Sequence, residues 1–99
     1  MTAAAETRSA SSALFNNDKL VEVVLELDRW TGASVTTREV ARNLGISDDL
    51  VKKVLIRLLA VGLLKELPRV GGSRGPLPYE VQVGRQWSAL VDLAKSLSS

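Results

Sequence analysis

The chain of 99 residues contains no cysteine and no histidine. The first absence excludes disulfides and thiol catalysis, and the second removes the commonest metal ligand and general base. No run of about 18 apolar residues occurs, so we expect no membrane-spanning helix. The amino-terminal stretch MTAAAETRSASSA also lacks the apolar region of a secretory signal. These absences predict a cytoplasmic protein that is not a metalloenzyme. Because the one clustered acid pair, Asp48 and Asp49, stands at a helix end and not in a cleft, we expect no enzyme of any kind and no cofactor.

The length and composition indicate one folded domain with a polar start. A chain of this size has room for a single core, and an apolar content of 45% is ordinary for a globular protein. Residues 1–16 are mainly alanine, serine and threonine, which are too small and polar to bury much apolar area. We therefore predict a disordered tail over residues 1–16 and a folded domain over residues 17–97.

The charges are distributed unevenly, although the net charge is only +2. The segment from Arg38 to Arg74 holds eight basic and four acidic residues, whereas the rest of the chain holds five and seven. A local basic excess is typical of nucleic-acid binding, but solvated faces of amphipathic helices look the same. Charge alone does not separate the two interpretations.

The most informative stretch of the sequence, Thr36 to Leu64, predicts two helices joined at Gly45. Thr36 and Glu39 have the spacing of a capping box at the start of the first helix. Gly45 stands where a chain leaving a helix often needs a positive φ. Ser47 is a good N-cap for the second helix, whose apolar stripe ends near Gly62. The residues of that stripe are Val51, Val54, Leu55, Leu58 and Leu59.

The flanking residues predict the remaining elements of the domain. In chain order they are a first helix from residue 17 or 18 to about 31, a brief strand at 33–35, a strand at 63–67, a glycine-rich hairpin loop at 70–78, a returning strand at 79–83 and a last helix at 85–97. Together with the two central helices they give the order α-β-α-α-β-β-α. The predicted fold is therefore mainly α with a small β-hairpin wing.

Several of these residues match a known pattern. Ala41 and Gly45, four residues apart and surrounded by apolar positions, resemble the helix-turn-helix of DNA-binding regulators. The sequence RLLAVGLLKELPR followed by PYEVQV resembles the end of a recognition helix and the wing of a winged helix. The step formed by Leu58, Gly62 and Leu63 is similar to one in small regulators of the MarR and PadR kind. The resemblance spans about residues 18–97 and implies a winged helix-turn-helix.

The resemblance also implies a set of DNA contacts. In this architecture the second helix, about residues 47–61, lies in the major groove, and the first crosses the DNA backbone. The wing, about residues 68–78, reaches the minor groove or the backbone. The residues expected to contact double-stranded DNA are Thr36, Thr37, Arg38, Arg42, Ser47, Asp49, Leu50, Lys52, Lys53, Arg57, Arg69, Ser73 and Arg74.

Each implied contact has a plainer interpretation. Asp48 and Asp49 stand in the first helical turn, where support of the helix dipole is favoured over recognition of cytosine. Arg42 is either a phosphate contact or a solvated surface residue, and we favour the phosphate. The glycines around Arg74 indicate either a wing contact or a flexible hairpin with solubilising charge, and we favour the wing contact.

Two apolar helices suggest a homodimer. Trp30 ends the first helix and Trp87 begins the last one, and both read as core or interface anchors. The two helices pack together either within one chain or across a dimer. The residues predicted for a dimer interface are Leu20, Val24, Leu27, Trp30, Trp87, Leu90, Val91 and Leu97.

The sequence as a whole favours a small transcriptional regulator that binds specific double-stranded DNA as a homodimer. The alternative is a winged-helix adaptor that binds protein instead. A sensor with an effector pocket inside the dimer stays open, although no residue signals such a pocket.

Overall fold

The computed structural model describes residues 3–69 and 75–98 and contains five helices and three strands in these ranges. The elements are α1 (Ala3–Phe15), α2 (Leu20–Asp28), β1 (Ser34–Thr36), α3 (Thr37–Leu44), α4 (Asp48–Ala60), β2 (Leu64–Glu66), β3 (Pro78–Val81) and α5 (Arg85–Ser98). The predicted winged helix-turn-helix is confirmed from α2 onward, with one additional helix before it. Within the described ranges, no helix is long and apolar enough to cross a membrane.

The three strands form one antiparallel sheet in the order β1-β3-β2. Ser34 of β1 is aligned with Glu80 of β3, and Leu64 of β2 is aligned with Val81. Since β1 precedes α3 and β2 follows α4, the central strand β3 holds both ends of the helix pair. The wing is therefore fixed to the helix-turn-helix at its base.

The core is built around α2. Val21, Val23, Val24 and Leu27 are fully buried, and they pack with the inner faces of α3, α4 and α5. The sequence left open whether so apolar a helix is central to the core or is covered by a second chain. The structure places it at the centre of its own chain.

The local signals between α3 and α4 act as predicted. Thr36 accepts a hydrogen bond from the backbone N–H of Glu39, and the carboxylate of Glu39 accepts one from the N–H of Thr36. Gly45 adopts φ 68° and ψ 32°, the left-handed conformation that favours glycine. The hydroxyl of Ser47 then accepts from the N–H of Leu50 at 3.3 Å and caps α4. The capping box therefore fixes the start of α3, and Gly45 and Ser47 fix the turn between the two helices.

The prediction of a disordered tail over residues 1–16 is wrong, because residues 3–15 form α1. Ser11 is fully buried, and its hydroxyl donates to the backbone oxygen of Asn17 at 2.5 Å. The same hydroxyl accepts from the N–H of Val21 at 3.1 Å, at the start of α2, where the N-cap Lys19 makes no side-chain cap. Small residues add little apolar area, but they let two helices approach closely, and this is how α1 packs.

An ion pair adds a second link between α1 and α2. Arg8 donates through Nε to the carboxylate of Glu22 at 2.5 Å. This hydrogen bond and the negative charge of Glu22 raise the pKa of Arg8, so the guanidinium remains charged at any ordinary pH. The link helps to hold α1 at a defined angle to α2.

The predicted dimer interface needs a correction. Leu20, Val24, Leu27, Trp87 and Val91 are buried inside the single chain, where α2 packs against α5. The indole N–H of Trp87 donates to the Asp28 carboxylate at 3.0 Å, which joins the same two helices. Because these side chains already fill the core, they are not available to a partner. The predicted residues that keep partial exposure are Trp30, Leu90 and Leu97.

Candidate nucleic-acid interface

The helix α4 has one buried face and an exposed face opposite to it. Its inner side chains, Val51, Val54, Leu55 and Leu58, are buried in the core. Asp49, Lys53 and Ile56 are exposed, and at 100° per residue they project directly away from that core. The exposed fraction of Ile56 is 55%, which is high for a large apolar residue. The outward face of α4 is thus free to contact another molecule.

A groove of about 780 Å³ lies between the helix pair and the wing. Its basic residues are Arg38, Arg42, Lys52 and Arg69, and its acidic residues are Glu39 and Asp48. Glu39 is occupied by the capping box of α3. The groove therefore carries a positive excess on the side where α3 and the wing flank α4.

Apart from the capping carboxylate, the helix α3 and its N-cap Thr36 supply four polar side chains to this groove. Arg38 is 76% exposed, and its Nε lies 3.8 Å from the carboxylate of Asp48. Arg42 is exposed and forms no hydrogen bond or ion pair with any residue in the described ranges. Thr36 uses its hydroxyl in the capping box, whereas Thr37 is half-buried at the first position of the helix. Of these four residues, Arg42 is exposed and has no described partner, so it would break no contact on binding a phosphate.

The paired aspartates Asp48 and Asp49 stabilise the start of α4. Both stand in its first turn, where the helix dipole favours negative charge. Asp48 also faces Arg38 across the turn between α3 and α4. These contacts agree with the dipole interpretation of Asp48. Asp49 differs, because it is exposed on the outward face.

Two neighbouring lysines of α4 occupy different surroundings. Lys53 is exposed, and no residue in the described part of the chain binds it. Lys52 is half-buried, and its Nζ donates to the hydroxyl of Tyr79 at 2.7 Å. The same ammonium lies 5.4 Å from the centre of the Tyr79 ring, within the range of a cation–π interaction. The sequence, which assigns both lysines alike to the DNA interface, does not show this difference in burial.

Arg57 faces the other flank of α4, toward α1. Its guanidinium donates to the backbone oxygens of Phe15 and Asn16 at 2.5 and 3.5 Å. Asn16 has φ 55°, so the chain turns sharply at this point. The positive charge satisfies carbonyl groups that a helix end leaves without intrahelical partners. Sequence reasoning missed this role because it treated residues 1–16 as disordered.

Leu50 lies on the same flank of α4 as Arg57. It is half-buried beside Asn17 in an open groove of about 640 Å³. Arg57, Leu50 and Lys53 therefore border the α1–α2 turn as well as the outward face of α4.

Arg69 forms a hydrogen bond across the base of the wing. This side chain donates to the backbone oxygen of Gly75 at 2.8 Å and so joins the two sides of the hairpin loop. The predicted wing contacts Ser73 and Arg74 lie outside the described residues. Among the residues that are described, no group of three histidine, cysteine, aspartate or glutamate side chains is placed to hold a metal ion.

Comparison with known proteins supports the fold. No protein-family model and no curated protein sequence matches the chain. Among solved structures, the crystal structure of the reduced form of MarR from E. coli is similar, with a TM-score of 0.65 and 20% sequence identity. The match covers 96% of this chain but 66% of that chain, which is less than two thirds. The predicted resemblance to MarR-like winged helices is therefore confirmed as a likeness of fold.

Proposed function

We propose that this chain is a small transcriptional regulator that binds specific sequences in double-stranded DNA. The observation that carries the proposal is the arrangement around α4. Its outward face is exposed, and the exposed cations Lys53 and Arg42 lie on α4 and on the adjacent α3. A protein that reads DNA needs both a free helical face for the bases and positive charge beside it for the phosphates.

The outward face of α4 fits a role in the major groove, which is wide enough to admit one helix. In the major groove, Lys53 would donate to guanine O6 or N7, and Ile56 would contact a thymine methyl group. Asp49 is suited to accept from cytosine N4, since its carboxylate faces outward. In this arrangement the capping residue Ser47 lies at the end of α4 that enters the groove first.

Backbone contacts are assigned to α3 and the wing. The groove that contains Arg38, Arg42 and Arg69 would follow the sugar-phosphate backbone on one side of α4. The wing tip, with Ser73 and Arg74, would reach the minor groove or the backbone. Together these contacts would fix the register of α4 on the duplex.

We further propose a homodimer, because one winged helix offers only about 600–1,000 Å² to DNA. The supporting feature is an apolar stripe on α5. Leu90, Leu93 and Leu97 follow at spacings of three and four, which places them on one face. Leu93 is 40% exposed, and Leu14 on the neighbouring α1 is 56% exposed. Pairing through this surface would bring two α4 helices to a two-fold-related site.

The proposal is tested by fluorescence anisotropy of the purified chain with random and genomic duplexes across a salt series. We expect the logarithm of the association constant to fall linearly with the logarithm of the salt concentration, because binding releases counterions from the DNA. Some genomic fragments should remain bound at physiological salt, and these contain the operator. Absence of binding at low salt would contradict the proposal.

A second candidate function is a protein-binding adaptor on the same fold. It is favoured by the outward face of α4, which carries both the exposed side chain of Ile56 and the carboxylate of Asp49. A face with an exposed apolar side chain and a negative charge suits a protein surface better than a phosphate backbone. The salt titration separates the two functions, since the adaptor needs no affinity for DNA.

A further inference from the structure

The contact between Lys52 and Tyr79 connects the reading helix to the central strand of the wing. Tyr79 is fully buried in β3, and Lys52 rests against it from α4. The two residues are joined both by the hydrogen bond of 2.7 Å and by the cation–π contact of 5.4 Å. Such a double contact restricts the ammonium to one position on the wall of the groove.

The ammonium group of Lys52 keeps hydrogen-bond donors for a ligand in this position. An ammonium group has three N–H donors and no acceptor. Tyr79 takes one of them, and no other hydrogen bond or ion pair of Lys52 exists within the described residues. Two donors of Lys52 therefore remain for a group that enters the groove.

The charges around Lys52 favour an anion as that group. Arg42 and Arg69 line the same groove with their positive charges. The two carboxylates there have partners of their own, since Glu39 binds Thr36 and Asp48 faces Arg38. An anion at Lys52 thus meets cations on several sides.

We propose that Lys52 binds a phosphodiester of the DNA backbone and does not read a base, and that Tyr79 is the residue that positions it. This inference rests on the proposed function. A free lysine loses much rotamer freedom when it binds a ligand. Because Tyr79 already holds the Lys52 side chain, that loss occurs on folding instead, and the phosphate meets a fixed donor. Lys53, on the outward face, keeps the role of base contact.

The test compares anisotropy titrations of five variants with the native chain on the selected duplex and on a panel of its single-base variants. Lys52→Ala should weaken binding about tenfold, as expected for one charge-assisted hydrogen bond, and by the same factor on every duplex. It should also lower the salt slope by about one, the signature of one lost phosphate contact. Lys52→Arg should keep the slope, because the charge is retained.

Lys53→Ala is the matched control, since it removes the same group from the next residue of the same helix. It should change the relative affinities for the duplexes instead of lowering them all equally. Tyr79→Phe should weaken binding several-fold on all duplexes, because Lys52 loses its hydrogen bond to the hydroxyl and keeps only the contact with the ring. In the double variant with Lys52→Ala, the Tyr79→Phe change should have no further effect.

Three outcomes would overturn the inference alone, and a fourth would overturn the proposed function with it. Altered base preference in Lys52→Ala with an unchanged salt slope would make Lys52 a base reader. If Tyr79→Phe lowers the affinity equally in the native chain and in the Lys52→Ala variant, Tyr79 supports the fold and does not position Lys52. If Lys52→Ala binds DNA as tightly as the native chain does, Lys52 makes no phosphate contact, although the proposed function stands. If the native chain binds no duplex at low salt, the proposed function and this inference both fail.

Discussion

The hydroxyl of Ser11 binds the backbone N–H of Val21 at 3.1 Å and so caps α2 from the helix that precedes it. It also donates to the carbonyl oxygen of Asn17 at 2.5 Å, within the turn between the two helices. One small side chain therefore satisfies two backbone groups and fixes how α1 enters the fold. We therefore expect the packing of α1 against α2 to depend on this contact.

Replacement of Ser11 by alanine should lower the free energy of unfolding by about 1–3 kcal/mol, because it leaves buried polar groups without partners. Ser12→Ala is the control, since Ser12 is exposed on the same helix and should change stability by less than about 0.5 kcal/mol. Urea denaturation followed by circular dichroism measures both. Equal midpoints for the two variants would mean that α1 does not depend on the Ser11 contact.

Glu26 joins α2 to α3 and should be the most important carboxylate for stability. It is 5% exposed and accepts from Asn43 at 2.7 Å and from the indole of Trp30 at 3.1 Å. Glu26→Ala should cost about 2–4 kcal/mol, because Asn43 and Trp30 lose their acceptor, as does Arg29, whose guanidinium donates to the same carboxylate at 3.2 Å. Glu26→Gln should recover part of the loss, as its amide oxygen still accepts.

The control for Glu26 is Glu66→Ala, which removes an exposed carboxylate from β2 and should be nearly neutral. Thermal and urea unfolding report the stabilities, and a Trp87→Phe background leaves Trp30 as the one tryptophan whose emission reports the local environment. A Glu26→Ala variant as stable as Glu66→Ala would show that the network adds nothing to the fold.

Arg42→Ala should weaken DNA binding on all duplexes alike and lower the salt slope by about one, since we assign Arg42 to a phosphate. Stability should not change, because Arg42 is exposed and has no partner among the described residues. Lys95→Ala, which removes an exposed cation from α5, should leave the salt slope unchanged. The assignment fails if the two variants bind with the same slope.

Leu93→Glu should convert the proposed homodimer into a folded monomer, because it places a charge in the apolar stripe of α5. Val61→Glu is the control, since Val61 is 64% exposed but lies beyond the end of α4. Sedimentation velocity over a range of concentrations gives the masses. A native chain that is monomeric at every concentration, or a Leu93→Glu variant that stays dimeric, would exclude this interface.

The helix-turn-helix was predictable because its signals are local. Thr36 and Glu39 are three residues apart, and Gly45 follows the last turn of its helix directly. Such capping chemistry depends on neighbours in the chain and needs no knowledge of the tertiary fold. The bounds of α3 and α4 follow from it.

The errors concern residues whose role is set by distant partners. Lys52 and Lys53 are adjacent in sequence, and only the placement of Tyr79 decides that the first is half-buried. Val24 and Leu27 were assigned to a partner chain, because apolar periodicity does not show which chain covers a helix. Ser11 carries no hydrophobic signal, since its contribution comes from hydrogen bonds to α2.

The strand order also dictates when the domain can form during synthesis. Ser34 is aligned with Glu80, so β1 has no partner until the ribosome has released nearly the whole domain. Until then, α3 and α4 emerge without the sheet that holds their ends. Contacts between residues so distant in the chain are slow to form, and nascent chains that expose apolar helices are prone to aggregation. We therefore expect truncations before β3 to be captured by chaperones rather than to accumulate as a folded helix-turn-helix.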